Sequence, residues 1–103
     1  MKRVLIVDDA SVVRMLIKKV LTQADFEVVG EAVNGIDALE KYKELRPDLV
    51  TMDITMPEAD GIQATKDIIA FDAKAKVVML SGIDQKEMLW QAIKAGAVSY
   101  IVK

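Results

Sequence analysis

The chain has 103 residues, 52% of them hydrophobic, which is enough for one domain with a real core and argues against disorder. Its 14 basic and 16 acidic residues leave a formal charge of −2, so there is no electrostatic case for direct nucleic-acid or anionic-membrane binding. It contains no cysteine and no histidine. That removes disulfides, thiol chemistry, an internal imidazole base and His metal ligands, and fits a reducing, cytoplasmic setting. No apolar run approaches the about 20 residues of a membrane span, and the run after Met1-Lys2-Arg3 is too short for a signal peptide.

Val4 to Val7 is a continuous, β-branched-rich apolar run, the pattern of a buried strand, and it ends at Asp8-Asp9. Val12, Val13, Leu16, Ile17, Val20 and Leu21 follow at helical spacing, with Lys18 and Lys19 off the stripe near the expected C-terminus. Phe26 to Ala32 reads as a second strand, at an edge because its alternation is imperfect. Asn34-Gly35 signals a turn with Asn34 as helix N-cap, and Ile36, Leu39, Tyr42 and Leu45 mark a second helix. Pro47 ends it and pushes Arg46 out of α geometry.

Leu49 to Asp53 is the third strand and runs straight into a loop, Ile54 to Asp60, before Gly61. Ile62, Thr65, Ile68 and Ile69 mark a third helix, and Lys76 to Leu80 is a fourth strand closed by Ser81-Gly82. Asp84 and Glu87 have capping-box spacing for a fourth helix striped by Met88, Leu89, Ala92 and Ile93 and stopped by Gly96. Val98 to Val102 is a fifth strand, and Lys103 follows it. Strands alternating with helices imply a parallel sheet with right-handed crossovers and helices on both faces.

In such a sheet all the carboxyl ends of the strands lie on one rim, where ligands bind. Asp8-Asp9, Asp53, Ser81 and Lys103 stand at four of those ends. Taken singly, each is an ordinary turn or strand-end residue; their joint placement is what carries meaning. Carboxylates gathered within a few ångströms repel unless a cation lies among them, and all-oxygen ligands favour a hard cation such as Mg²⁺. Lys103 suits a phosphoryl oxygen and the Ser81 hydroxyl can donate to another. Asp53 can then attack phosphorus and form an aspartyl phosphate.

These five positions, with Val4-Leu5-Ile6-Val7-Asp8-Asp9, Met52-Asp53-Ile54-Thr55-Met56-Pro57, Gly61 and Lys94-Ala95-Gly96-Ala97, resemble the response-regulator receiver domain over the whole chain, residues 1–103. Gly30-Glu31-Ala32 and Asn34-Gly35 are similar to the small chemotaxis-type receivers. The resemblance implies a flavodoxin-like, doubly wound, five-stranded parallel sheet of order 2-1-3-4-5. It implies that Asp53 takes a phosphoryl group from the phosphohistidine of a sensor histidine kinase. Asp9 and Asp53 would bind Mg²⁺ with the backbone carbonyl of Thr55, and Asp8 through water. Ser81 and Lys103 would hold phosphoryl oxygens, and Tyr100 would turn inward with Ser81 to switch a protein-binding face. The output partner would be a protein such as a flagellar switch component. Thr55 and Ile83 hold positions that tune dephosphorylation, where apolar Ile83 is expected to slow water attack. Trp90 reads as packing or as an aromatic anchor for a partner.

The family's fifth helix, after Lys103, is absent from this chain. Burying its three or four apolar side chains would contribute on the order of 5–10 kcal/mol. An exposed apolar patch beside the first helix is therefore expected, with homodimerisation or element swapping among the ways to cover it. The other readings are a receiver fragment of a longer DNA-binding regulator, a Mg²⁺-dependent phosphohydrolase and a flavin binder. The hydrolase wants an acid close after Asp53, where Thr55 stands, and the flavin binder wants a hydroxyl-rich phosphate loop where Asp8-Asp9 stands.

Overall fold

The computed structural model describes residues 1–54, 56, 60–81 and 93–102, and only the backbone of Asp60, Ser81, Tyr100 and Val102. Strand β1 (Arg3–Val7) leads into helix α1 (Ser11–Gln23), β2 (Glu27–Ala32), α2 (Gly35–Leu45) and β3 (Leu49–Asp53). Helix α3 (Asp60–Phe71), β4 (Val77–Ser81) and β5 (Ser99–Val102) complete the described elements. All strand pairs are parallel and the order is β2-β1-β3-β4-β5. This is the expected doubly wound arrangement, with β2 and β5 at the edges. No described helix is long and apolar enough to cross a membrane.

Strand side chains alternate between faces, and the two faces have different covers. Leu5, Val7, Val50, Met52, Val77 and Met79 form the core with Ala38 and Tyr42 of α2 and Ile62 and Ile68 of α3. On the other face Val4 and Ile6 are fully buried, while Thr51, Leu80 and Ile101 line an apolar groove of about 260 Å³ beside Leu16, Ile17, Val20 and Leu21 of α1. No residue of α1 is buried. Val12, Leu16 and Val20 are 62%, 56% and 63% exposed, so half of the predicted stripe is open among the described residues. The hydroxyl of Thr51 is buried there without a hydrogen-bond partner among the described residues.

Local chemistry explains most boundaries. The Asn34 side chain accepts from the Asp37 N–H at 2.8 Å and caps α2. Arg46 ends that helix in the left-handed region at φ 47°, where the following Pro47 disfavours α geometry. Gly96 takes φ 115° as its N–H closes on the Ile93 carbonyl, a conformation that costs glycine little. Residues 93–95 are helical; the rest of the expected fourth helix, with Ile83 and Trp90, lies outside the described residues.

Lys18 and Lys19 lie toward the C-terminal end of α1, just before its last turn, which ends at Gln23. One expectation needs correction. Ile36 is 76% exposed, because a stripe counted in threes drifts around a helix of 3.6 residues per turn; Gly35, Ala38 and Tyr42 are the buried positions. The N-cap of α1 is Ala10, with no side-chain bond.

At the far end of the sheet the Tyr42 hydroxyl donates to Asp72 Oδ2 at 2.9 Å, and the Arg46 guanidinium lies 4.7 Å over the Phe71 ring. Burial first, then the hydrogen bond to Asp72 and its charge, push the Tyr42 phenol up to about 12, with Arg46 pulling the other way. The Lys74 N–H, then the Tyr42 hydroxyl, hold Asp72 below the usual carboxylate range.

Candidate functional site

The site is set by register. Val7 of β1 pairs with Met52 of β3, so the next residues, Asp8 just past β1 and Asp53 at the end of β3, stand side by side. Asp53 in turn pairs with Leu80 of β4, and Ser81 pairs with Val102 of β5. The backbone therefore brings Ser81 to the same rim, one residue beyond Asp53's partner.

Asp8 and Asp53 are each only 1% exposed. The Asp8 N–H extends the ladder to the Ala32 carbonyl at 3.1 Å. Its Oδ1 accepts from the Ala10 N–H at 2.9 Å, a tight local turn of the kind aspartate favours. That turn uses the Asp8 side chain and leaves Asp9 as the exposed acid. One carboxylate oxygen from each of Asp8, Asp9 and Asp53 lies within 4.8 Å of the other two. On the far side of Asp53, a Cβ on Gly61 would run into the Asp53 carbonyl oxygen and stand 3.3 Å from the Ile54 Cα. Only glycine lets the start of α3 come this close to the end of β3.

Three carboxylates this close, two of them buried, repel strongly unless a cation intervenes. Hard oxygen donors, one open side at Asp9 and spacing of this kind fit a small divalent ion such as Mg²⁺. The structure thus brings together the three predicted acids. It places the Ser81 backbone beside them, and puts Tyr100 on β5 opposite Met79. The side chains of Ser81 and Tyr100, and all of Thr55 and Lys103, lie outside what it describes.

Sequence reasoning missed one participant. Arg14 of α1 donates from Nη1 to the Asp8 carbonyl at 2.7 Å and from Nε to Glu31 Oε1 at 3.1 Å. The available signal was a cation one helical turn past Ala10, within a stripe of apolar residues. Glu31 stands in Gly30-Glu31-Ala32, where no local pattern points to this bond.

Residues 4–103 match the family model for the response regulator receiver domain. The chain is 58% identical to the chemotaxis protein CheY of Thermotoga maritima over 102 residues, covering 99% of this chain and 85% of that protein. It is 58% identical to CheY of Bacillus subtilis over 101 residues, covering 98% of this chain and 84% of that one. Among solved structures it is similar to the response regulator domain of Thermotoga maritima CheB, with TM-score 0.89, 42% identity and coverage of 100% and 78% of the two chains. It is also similar to a chain of the Borrelia burgdorferi CheX-CheY-BeF3-Mg complex, with TM-score 0.91, 36% identity and coverage of 99% and 78%.

Proposed function

The chain belongs to the response regulator receiver family, and from that premise we propose that residues 1–103 form one phosphoryl-accepting signalling domain of the chemotaxis type. The observation that carries this reading is the meeting of Asp8, Asp9 and Asp53, from two different strand ends, with carboxylate oxygens within 4.8 Å of one another.

In this reading an Asp53 oxygen attacks the phosphorus of a phosphohistidine on a sensor kinase. The P–O bond forms as the P–N bond breaks, and the imidazole leaves on the kinase. Asp9 and Asp53 would hold Mg²⁺ with the Thr55 backbone carbonyl, and Asp8 would reach it through water. The ion's chemistry is neutralisation of charge on the transferring group. Ser81 and Lys103 hold the phosphoryl oxygens, and Tyr100 turns inward with Ser81, changing the face offered to an output protein such as a flagellar switch component. The domain works in the cytoplasm and catalyses only its own phosphorylation and dephosphorylation. A receiver cut from a longer DNA-binding regulator is the less favoured reading, since two relatives at 58% identity are CheY proteins of which the chain spans 85% and 84%.

The test is incubation with Mg²⁺ and acetyl phosphate followed by intact mass. Wild type is expected to gain one phosphoryl group, and to gain none with EDTA or in Asp53→Asn. Equal labelling of Asp53→Asn would overturn the reading.

A further inference from the structure

We propose that Arg14 is a positioning residue for the acid pocket: its guanidinium grips the Asp8 carbonyl, Glu31 grips the guanidinium, and the pair holds the Asp8-Asp9 turn in the shape that receives a divalent cation. The inference rests on the reading above for the use of the pocket. It rests on this chain's own geometry for the role of Arg14.

Mutual repulsion pushes the three carboxylates apart. Burial and two bonds hold Asp8 itself, while α1, which follows the turn, adds no buried residue and no side-chain cap. Arg14 supplies a further hold. Arg14 Nη1 to the Asp8 carbonyl, at 2.7 Å, is a short, charge-assisted bond. The Arg14 side chain is only 15% exposed, so water screens this bond little. Its Nε is committed to Glu31 Oε1 at 3.1 Å, which fixes the plane of the fork.

Glu31 is itself anchored within β2, where its carbonyl accepts from Lys41 Nζ at 2.6 Å. One side chain thereby ties α1, β2 and the residue after β1 together next to the Asp8-Asp9 turn. Arg14 also brings a positive charge to the residue that opens that turn. A lysine offers a point charge and cannot reproduce both bonds of the fork.

Partners that orient ligating carboxylates typically cost 10–100-fold in metal affinity when removed. Calorimetric Mg²⁺ titration of the folded chain reads this without any phosphorylation step. Arg14→Met keeps the stem and is expected to weaken Mg²⁺ binding about 10-fold or more. Arg14→Lys should recover part of that loss, and Glu31→Gln should cost a smaller factor. Circular dichroism at the titration temperature confirms folding for each.

A folded Arg14→Met that binds Mg²⁺ within about twofold of wild type overturns the proposal, even if its melting temperature falls, since a mere helix tether predicts that result. Should Arg14→Met not fold, wild-type affinity in both Arg14→Lys and Glu31→Gln overturns it equally. If wild type itself binds no Mg²⁺, or Asp53→Asn binds it as tightly, the reading of the pocket fails and the role of Arg14 fails with it. Wild type that binds beside an unaffected Arg14→Met removes Arg14 alone.

Discussion

Replacing Asp53 by Asn should stabilise the protein when no divalent cation is present. Unit charges about 4.8 Å apart, the outer limit of the spacing among these oxygens, repel by about 3.5 kcal/mol at an effective dielectric of about 20, and Asp53 faces two such neighbours. Asp9 is exposed, so solvent screens most of its share. Asn removes the charge but must satisfy an amide in a buried site, which takes back about 1–3 kcal/mol. The expected net gain is about 2 kcal/mol. Urea unfolding at pH 7 in EDTA measures it directly. Adding Mg²⁺ should then close the gap, because a ligand at a hundredfold excess over its Kd stabilises wild type by about 2.7 kcal/mol and has less to bind in the variant. Asp53→Asn that is no more stable than wild type in EDTA would show that the acids are not in mutual strain, and the argument for a cation would lose its physical basis.

Thr51→Val removes a buried hydroxyl that has no partner among the described residues; it should stabilise by about 1 kcal/mol and raise Tm by about 5 °C, and a lower Tm would contradict the geometry. Gly61→Ala forces a Cβ against the Asp53 carbonyl. It should destabilise by about 1–3 kcal/mol and slow labelling by acetyl phosphate, whereas unchanged labelling would mean that the approach of α3 to β3 is loose. The raised Tyr42 pKa gives an alkaline signature. Its proton is held in the folded state up to about 12 and lost from the unfolded chain near its ordinary value of about 10. Stability should therefore be intact below the lower value and fall as pH rises through the upper one. Denaturant midpoints of wild type should show this decline and those of Tyr42→Phe should lack it; parallel profiles would refute the assignment. For Asp72, whose pKa is lowered, the stability present above its ordinary range should be lost as acid carries the pH through the folded value.

The strands were legible to within a residue because each is a short β-branched run ending in a turn signal; β3 falls on the predicted Leu49–Asp53. The helices were legible as elements but less so as surfaces. The α1 stripe reads as core-facing, yet Val12, Leu16 and Val20 are open, because period reports which side is apolar and not whether anything lies against it. The acid pocket was legible because Asp8, Asp9 and Asp53 follow strand ends directly, and parallel topology alone carries strand ends to one rim. Arg14 and Glu31 were not. Their contact spans 17 residues and two elements, and no local pattern encodes a bond from a helix side chain to a strand-end carbonyl.

The place of β1 between β2 and β3 has a consequence for biosynthesis. The first strand to leave the ribosome is a central one, so its hydrophobic edges wait unpaired while both neighbours are still being translated. A nascent chain that ends before residue 53 holds Asp8 and Asp9 but lacks Asp53. The three acids come together only once β1 pairs with β3, a long-range contact.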